Sequence, residues 1–306
     1  MKPRPTLVFE SRKLSRFLGF SFLVASETFQ HTGSFKFRAA MNTVINSKAE
    51  HLVTISSGNF GQALAAACES EGKKCTVLMP TTSARVKVEA VKSFGARAEL
   101  VDVTLKPRNQ WLDQYIAERK AAGEIEIEVV SPYDDDRVIE GNSSLVDELV
   151  PYSDHFDTIL IPVGGGGLAS GVVQGLKRNG LSCTVYGVEP SIADDAARSI
   201  KEGRLLANKT EPMTIADGVR TLSLGERNWK ILKDGLDGVL TVEEEEIEEA
   251  VRLYFELANL KVEPSGALSL AALKKHKATR FLSGKKPLLI VSGGNVDAAV
   301  FTELLR

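Results

Sequence analysis

A single lysine, Lys36, stands between Phe35 and Phe37 in the stretch HTGSFKFRAA, just after a Thr-Gly-Ser turn and just before a helix-forming run. A lysine ordinarily keeps its ammonium in water. Apolar neighbours disfavour the charged form and leave an amine able to act as nucleophile and base. Alone, Lys36 would read as a surface lysine of an amphipathic helix. Three glycine-bearing segments change that reading: SSGNFG (Ser56 to Gly61), GGGG (Gly164 to Gly167) and SGGN (Ser292 to Asn295). Four consecutive glycines put no side chain in front of their backbone N–H groups, which can converge on one anion. A helix starting at Leu168 would add the positive end of its dipole. A simple strand-to-helix turn does not require four glycines, whose freedom in the unfolded chain is costly to lose. A phosphate is the guest this loop suits.

Two phosphate-bearing ligands compete. Gly164, Gly166 and Ala169 match the dinucleotide fingerprint G-x-G-x-x-A, and Glu189 follows about 20 residues on, where an acid would hold a ribose. That reading is an NAD-dependent oxidoreductase. It starts past the midpoint of the chain, has one glycine too many, and leaves Lys36 and SSGN without a purpose. Pyridoxal 5'-phosphate accounts for all of them, since it needs a lysine for a Schiff base, an anion cradle and a neighbour for its ring nitrogen.

The elements that must position these residues alternate between β and α. HLVTI, CTVLMP and AELVDV are expected strands separated by the helices QALAAACESEG and SARVKVEAVKSFG, and TILIPV, CTVYGVEP and KPLLIVSGGN supply later strands. This rhythm calls for parallel sheets with helices on both faces, and in such sheets ligands bind at the carboxyl ends of the strands. All three glycine loops fall there. EEEEIEEAVRLYFELANL is an expected helix with Ile247, Val251, Tyr254, Phe255 and Ala258 on its apolar face, its glutamates forming a solvated first turn. PYDDDRVIEGN (Pro132 to Asn142) is the candidate crossover between lobes.

Bulk properties exclude several classes. The 306 residues suffice for two domains, and 43% hydrophobic with 25% charged residues is a soluble globular profile. A net charge of −2 gives no reason to expect nucleic acid as partner. No apolar run reaches the roughly 20 residues of a membrane span, and MKPRPTLVFE lacks the apolar core of a signal peptide, so a cytoplasmic location is expected. Cys68, Cys75 and Cys183 form no C-x-x-C pair, so no disulfide framework is expected, and Cys68 reads as a core residue. The four histidines lack zinc-site spacing.

TGSFKFRAA, SSGNFGQAL, PVGGGGLASG, VEPSIADDA and SGGNVD, in that order from about Pro5 to Asp297, resemble the serine racemase and serine/threonine dehydratase family. These are pyridoxal-phosphate enzymes of the tryptophan-synthase-β fold type (PLP fold type II). The resemblance implies an α/β protein of two open twisted parallel-sheet domains, a large one from residues 1–48 plus 136–306 and a small one from 49–135 that closes over the substrate. It implies a homodimer. It makes Lys36 the cofactor's lysine and catalytic base, with Phe35 beside the ring, Asn59 on the ring hydroxyl, and Gly164, Gly165, Gly166, Gly167 and Leu168 around the phosphate. Ser292 would face the ring nitrogen; a neutral hydroxyl does not hold that nitrogen protonated as an aspartate would, which favours prompt loss of a β-substituent over transamination. Ser56, Ser57, Asn59 and Gln62 would bind the substrate carboxylate, and Ser57 would handle the proton opposite Lys36, as serine does in the family's racemases where dehydratases carry alanine. As a residue type, Ser57 equally suits a helix N-cap. Glu189, the Ala193 carbonyl and Asp195 match the family's divalent cation site, for magnesium or calcium.

The activity so implied is dehydration of serine or threonine to a 2-oxo acid and ammonia, racemisation of serine, or both. A 3-hydroxyaspartate dehydratase of the same family is the alternative, and a catalytically silent cofactor-binding protein is disfavoured by the presence of both Lys36 and Ser57. Two positions depart from the pattern: Phe60 replaces the usual histidine after Asn59, and Tyr133 replaces the asparagine of serine racemases.

Overall fold

The structure, a computed structural model, describes residues 1–83, 85–277, 279 and 282–306. Along the chain the strands are β1 (Leu7–Phe9), β2 (Leu23–Ser26), β3 (His51–Ile55), β4 (Lys74–Pro80), β5 (Arg97–Val101), β6 (Ile127–Val129), β7 (Thr158–Pro162), β8 (Thr184–Pro190), β9 (Gly238–Val242) and β10 (Pro287–Val291). The α-helices are α1 (Arg12–Leu18), α2 (Lys36–Ile45), α3 (Asn59–Ser70), α4 (Arg85–Ser93), α5 (Arg108–Ala121), α6 (Asp136–Leu149), α7 (Gly167–Arg178), α8 (Asp195–Glu202), α9 (Glu226–Gly235), α10 (Glu244–Ala258), α11 (Pro264–His276) and α12 (Ala298–Leu304). Ala84, inside the expected helix SARVKVEAVKSFG, lies outside the described residues.

Two parallel-sheet domains result. One sheet has the order β1-β2-β10-β7-β8-β9 and the other β5-β4-β3-β6. All pairings are parallel except β1 with β2. The four-stranded sheet uses chain between residues 51 and 129, and the six-stranded sheet takes chain from both sides of that segment.

The central strands TILIP (β7) and PLLIV (β10) are buried at every residue, as strands covered on both faces must be. Their side chains alternate. Leu160 and Leu289 join one core with Leu268 and Tyr254, whereas Ile159, Ile161, Leu288 and Ile290 join another with Leu145 and Val172. A third core sits in the small sheet's domain, where the alanines of α3 pack with Leu52, Val77 and Met79. Cys68 is buried there, and all three cysteines are free.

Two expectations need correction. The crossover ends early: from Asp136 onward the stretch is α6, because the Asp135 carboxylate accepts a hydrogen bond from the Arg137 N–H and caps the helix. On α10, Ile247, Val251 and Tyr254 are buried as expected, but Phe255 is 46% exposed and packs edge-on with Phe301. The glutamate run there is more than a solvated turn. Glu243 and Glu246 form a capping box, and Glu244 accepts from the Thr214 hydroxyl and the Ile215 N–H.

Candidate active site

The carboxyl ends of β3, β7 and β10 deliver SSGN, GGGG and SGGN to one cavity of about 720 Å³ between the two sheets. Phe35, Lys36, Ser56, Ser57, Asn59, Gly164, Gly165, Gly166, Gly167, Leu168 and Ser292 all line it. Gln62 does not; it sits in the first turn of α3, partly exposed. The small domain contributes Lys87, Arg108 and Asn109 to the wall, and the large one Asp217, Arg220 and Glu263.

Lys36 opens α2, and its position is set on both sides. Before it, the Phe35 N–H donates to the Ser292 carbonyl at 3.0 Å and Ser34 bridges Gly293, so the lysine loop is stitched to the end of β10. Gly33 allows this approach. It has φ +70°, and a Cβ there would lie 2.3 Å from Asn295 Oδ1. After Lys36, Arg38 is 2% exposed, and its guanidinium donates to Glu27 and Glu148 carboxylates, the Thr6 and Ser144 hydroxyls and the Arg4 carbonyl. Removing one partner from such a buried ionic cluster costs about 3–5 kcal/mol.

Lys36 Nζ donates to the Pro132 carbonyl at 2.6 Å and lies 5.0 Å from the Phe35 ring centre and 5.6 Å from that of Phe60. Burial pushes its pKa down to about 8, against an opposing pull from Glu263. Phe60, where the sequence departs from the family pattern, therefore forms part of the apolar wall around Lys36 Nζ.

Glu263 was not legible as a site residue. It is 3% exposed at the N-cap of α11, and burial raises its carboxyl to about 7. Asn59 Nδ2 donates to both of its oxygens at 2.8 and 3.1 Å, while Asn59 Oδ1 accepts from Asn295 Nδ2 at 2.9 Å. The side chain of Asn59 is thus fixed with its amide toward Glu263.

A phosphate cradle fits the tetraglycine loop. Gly166 has φ +91° and is the N-cap of α7, whose first N–H groups have no helical acceptor. A Cβ at Gly165 would meet the Tyr133 ring at 2.4 Å, one at Gly164 the Val219 Cα at 2.9 Å, and one at Gly167 the Tyr133 carbonyl at 2.8 Å. All four glycines are therefore demanded by close packing, with bare backbone along the cavity. Tyr133 packs on this loop.

Ser57 is not a helix cap: the N-cap of α3 is Gly58, with no side-chain bond, and the Gly58 N–H donates to Ser56 Oγ at 3.3 Å. Ser57 is left facing the same cavity as Lys36.

Glu189, Ala193 and Asp195 lie outside the cavity, where β8 meets α8. Glu189 is 1% exposed and accepts from the Ala196 and Ala197 N–H groups. It cannot serve as the ribose acid of a dinucleotide site, which overturns the oxidoreductase reading of Gly164, Gly166 and Ala169. Asp195 Oδ1 accepts from Asn208 at 2.8 Å, but the buried Oδ2 has no partner among the described residues. Burial together with the neighbouring Asp195 holds the Glu189 carboxyl well above its ordinary range, and burial pushes Asp195 up to about 7. An unpartnered oxygen on Asp195, whose charge repels that of the buried Glu189, fits a cation, although no group of three or more His, Cys, Asp or Glu side chains converges anywhere among the described residues.

Lys36, the bare tetraglycine loop and Ser292 share one cavity at the carboxyl ends of open parallel sheets, the architecture of PLP fold type II enzymes. The chain belongs to the family of pyridoxal-phosphate dependent enzymes, whose model matches residues 1–293. It is 35% identical over 306 residues to serine racemase of Dictyostelium discoideum, covering 98% of this chain and 92% of that protein. It is 33% identical over 305 residues to L-threo-3-hydroxyaspartate ammonia-lyase of Pseudomonas sp, covering 98% and 93%. The solved structure of maize serine racemase superposes with a TM-score of 0.89 at 30% identity, over 98% of this chain and 91% of that one.

Proposed function

We propose that the protein is a dehydratase of serine or threonine that also racemises serine, with Lys36 as the base. The observation that carries this reading is the convergence of a lysine of lowered pKa, SSGN and the tetraglycine loop on one cavity. Gly164 to Leu168 would hold the cofactor's phosphate, Asn59 its ring hydroxyl, Ser292 its ring nitrogen and Phe35 one edge of the ring. Bound pyridoxal phosphate acidifies the α-proton of an amino acid joined to it. The backbone N–H groups at the start of α3, with Ser56 and Ser57, receive the substrate carboxylate. Lys36 Nζ takes the α-proton, and the apolar wall of Phe35 and Phe60 keeps the amine neutral enough to do so. Ser57 Oγ handles the proton on the opposite face, and loss of the β-hydroxyl competes with that return. The small domain, residues 49–135, closes over the substrate and excludes water. Glu189, Asp195 and the Ala193 carbonyl would hold magnesium or calcium, outside the cavity that receives the substrate. The protein works in the cytoplasm as a homodimer on small amino acids.

A second substrate, 3-hydroxyaspartate, is favoured by one observation: Lys87, Arg108 and Arg220 all line the cavity. A β-carboxylate could replace Glu211 as the partner of Arg108.

The test is a panel of L-serine, L-threonine and 3-hydroxyaspartate isomers, scored for both 2-oxo acid and D-enantiomer. The purified protein should be yellow, and borohydride should bleach it and fix mass on the Lys36 peptide. Lys36→Ala should lower turnover at least about 10³-fold with the fold intact, the scale of a lost base acting also as nucleophile; residual activity above roughly a tenth would refute the assignment. Ser57→Ala should suppress racemisation about 10²-fold and elimination by less than about tenfold. Equal loss of both would make Ser57 a carboxylate ligand only.

A further inference from the structure

Behind the tetraglycine loop, on the side away from the cavity, lies Asn228. It is fully buried on the first turn of α9 and does not line the active site. Its Nδ2 donates to the Gly165 carbonyl at 2.7 Å and to the Tyr133 carbonyl at 3.0 Å. Both partners are carbonyl oxygens, so the amide can sit only with its NH₂ toward them. Its Oδ1 is buried and has no partner among the described residues. The Gly165 oxygen takes a second bond from the Gly225 N–H at 3.0 Å. The start of α9 is itself anchored, because Asp134 accepts from the Glu226 and Arg227 N–H groups.

A trans peptide holds its C=O and N–H on opposite sides. With the Gly165 oxygen turned toward Asn228 and Gly225, the following N–H, that of Gly166, is turned the other way, toward the cavity that the loop lines. We propose that Asn228 is a positioning residue for the phosphate cradle: it pins the Gly165 carbonyl outward, so that the Gly166 N–H stays presented to the phosphate of the cofactor. A glycine run left unpinned would have to be ordered on binding, at a cost in affinity. Asn228 also ties Tyr133 into the same clamp, which links the cradle to the crossover between the two domains. This inference rests on the proposed role of Gly164 to Leu168.

The experiment compares pyridoxal 5'-phosphate with pyridoxal, the same aldehyde without the phosphate, as ligands of the full-length protein and of two variants. Asn228→Ala removes both donors. Asn228→Asp keeps the volume but turns an acceptor toward two carbonyl oxygens. Affinity is read from the absorbance of bound cofactor after reconstitution of the resolved protein. Pyridoxal phosphate should bind about 3- to 10-fold more weakly to Asn228→Ala and about 10- to 100-fold more weakly to Asn228→Asp, with pyridoxal affinity unchanged. Equal weakening of both ligands would make Asn228 a mere packing residue and overturn the proposal, as would no change in either. If one variant does not fold, the other carries the comparison; if neither folds, Asn228 is a residue of the core and the proposal is refuted. A wild-type protein that binds the two aldehydes equally well would instead refute the cradle itself.

Discussion

The half-buried Lys36 and the buried Glu263 line one cavity, and loss of water around them moves them in opposite directions, the amine down to about 8 and the carboxyl up to about 7. For Glu263 the ordinary value is 4.5. Between 4.5 and about 7 the folded protein binds more protons there than the unfolded chain, so its stability falls as pH rises through that window, and the deficit persists above it. Lys36, Lys87 and Asp217 are the charges that bear on this balance. Glu263→Gln removes the buried charge and retains an oxygen for Asn59. Thermal denaturation of the holoenzyme should show the variant stabilised by on the order of 1–3 kcal/mol at about pH 8 and by little at about pH 4.5. An equal shift at both values would show that the carboxylate is comfortable as an anion. The sequence hid this residue for a physical reason. Glu263 acts through Asn59, 204 positions away, and no periodicity marks such a pair. Lys36 was legible because its apolar neighbours are adjacent in the chain, and Asn228 was not, because only the folded loop brings Gly165 to it.

At the level of elements, legibility followed burial. TILIP and PLLIV read as strands because both faces of a central parallel strand must be apolar. The start of α6 was missed because its cap, Asp135, stands within a run of three aspartates that composition alone assigns to a loop. The junction of β8 and α8 is where an element-scale prediction belongs. Glu189 accepts from two N–H groups in the first turn of α8, and Asp195 lies in that same turn, its Oδ2 unpartnered among the described residues. A cation bridging the two carboxylates would bind α8 to the sheet and relieve their repulsion. Chelator should therefore lower the melting temperature of the holoenzyme by several degrees, with recovery on adding magnesium or calcium, and Asp195→Asn should abolish both effects. A chelator-insensitive wild-type protein would leave Glu189 as a helix cap.

Across the whole molecule, two ion pairs join the domains at the mouth of the cavity. Lys87 on α4 reaches Asp217, and Arg108 at the start of α5 reaches Glu211 at 3.2 Å. Deeper in, Asn59 on α3 meets Glu263 and Asn295. Since α3, α4 and α5 all belong to the small sheet's domain, the proposed closure is held by polar contacts from three helices. The outer pairs are partly exposed, and such pairs contribute about 0–1 kcal/mol each, too little to lock the domains but enough to bias an opening equilibrium. A double variant, Glu211→Gln with Asp217→Asn, deletes both latches while sparing Lys87 and Arg108 for substrate. It should raise KM for L-serine about 2- to 10-fold with kcat changed less than about twofold, the shift expected when closed molecules become scarcer. Small-angle scattering of the substrate-free protein should show a larger radius of gyration, restored by substrate. High salt should produce the same rise in KM in the wild-type protein and not in the variant. An unchanged KM together with an unchanged radius would mean that Asn59, Glu263 and the apolar wall hold the domains together by themselves.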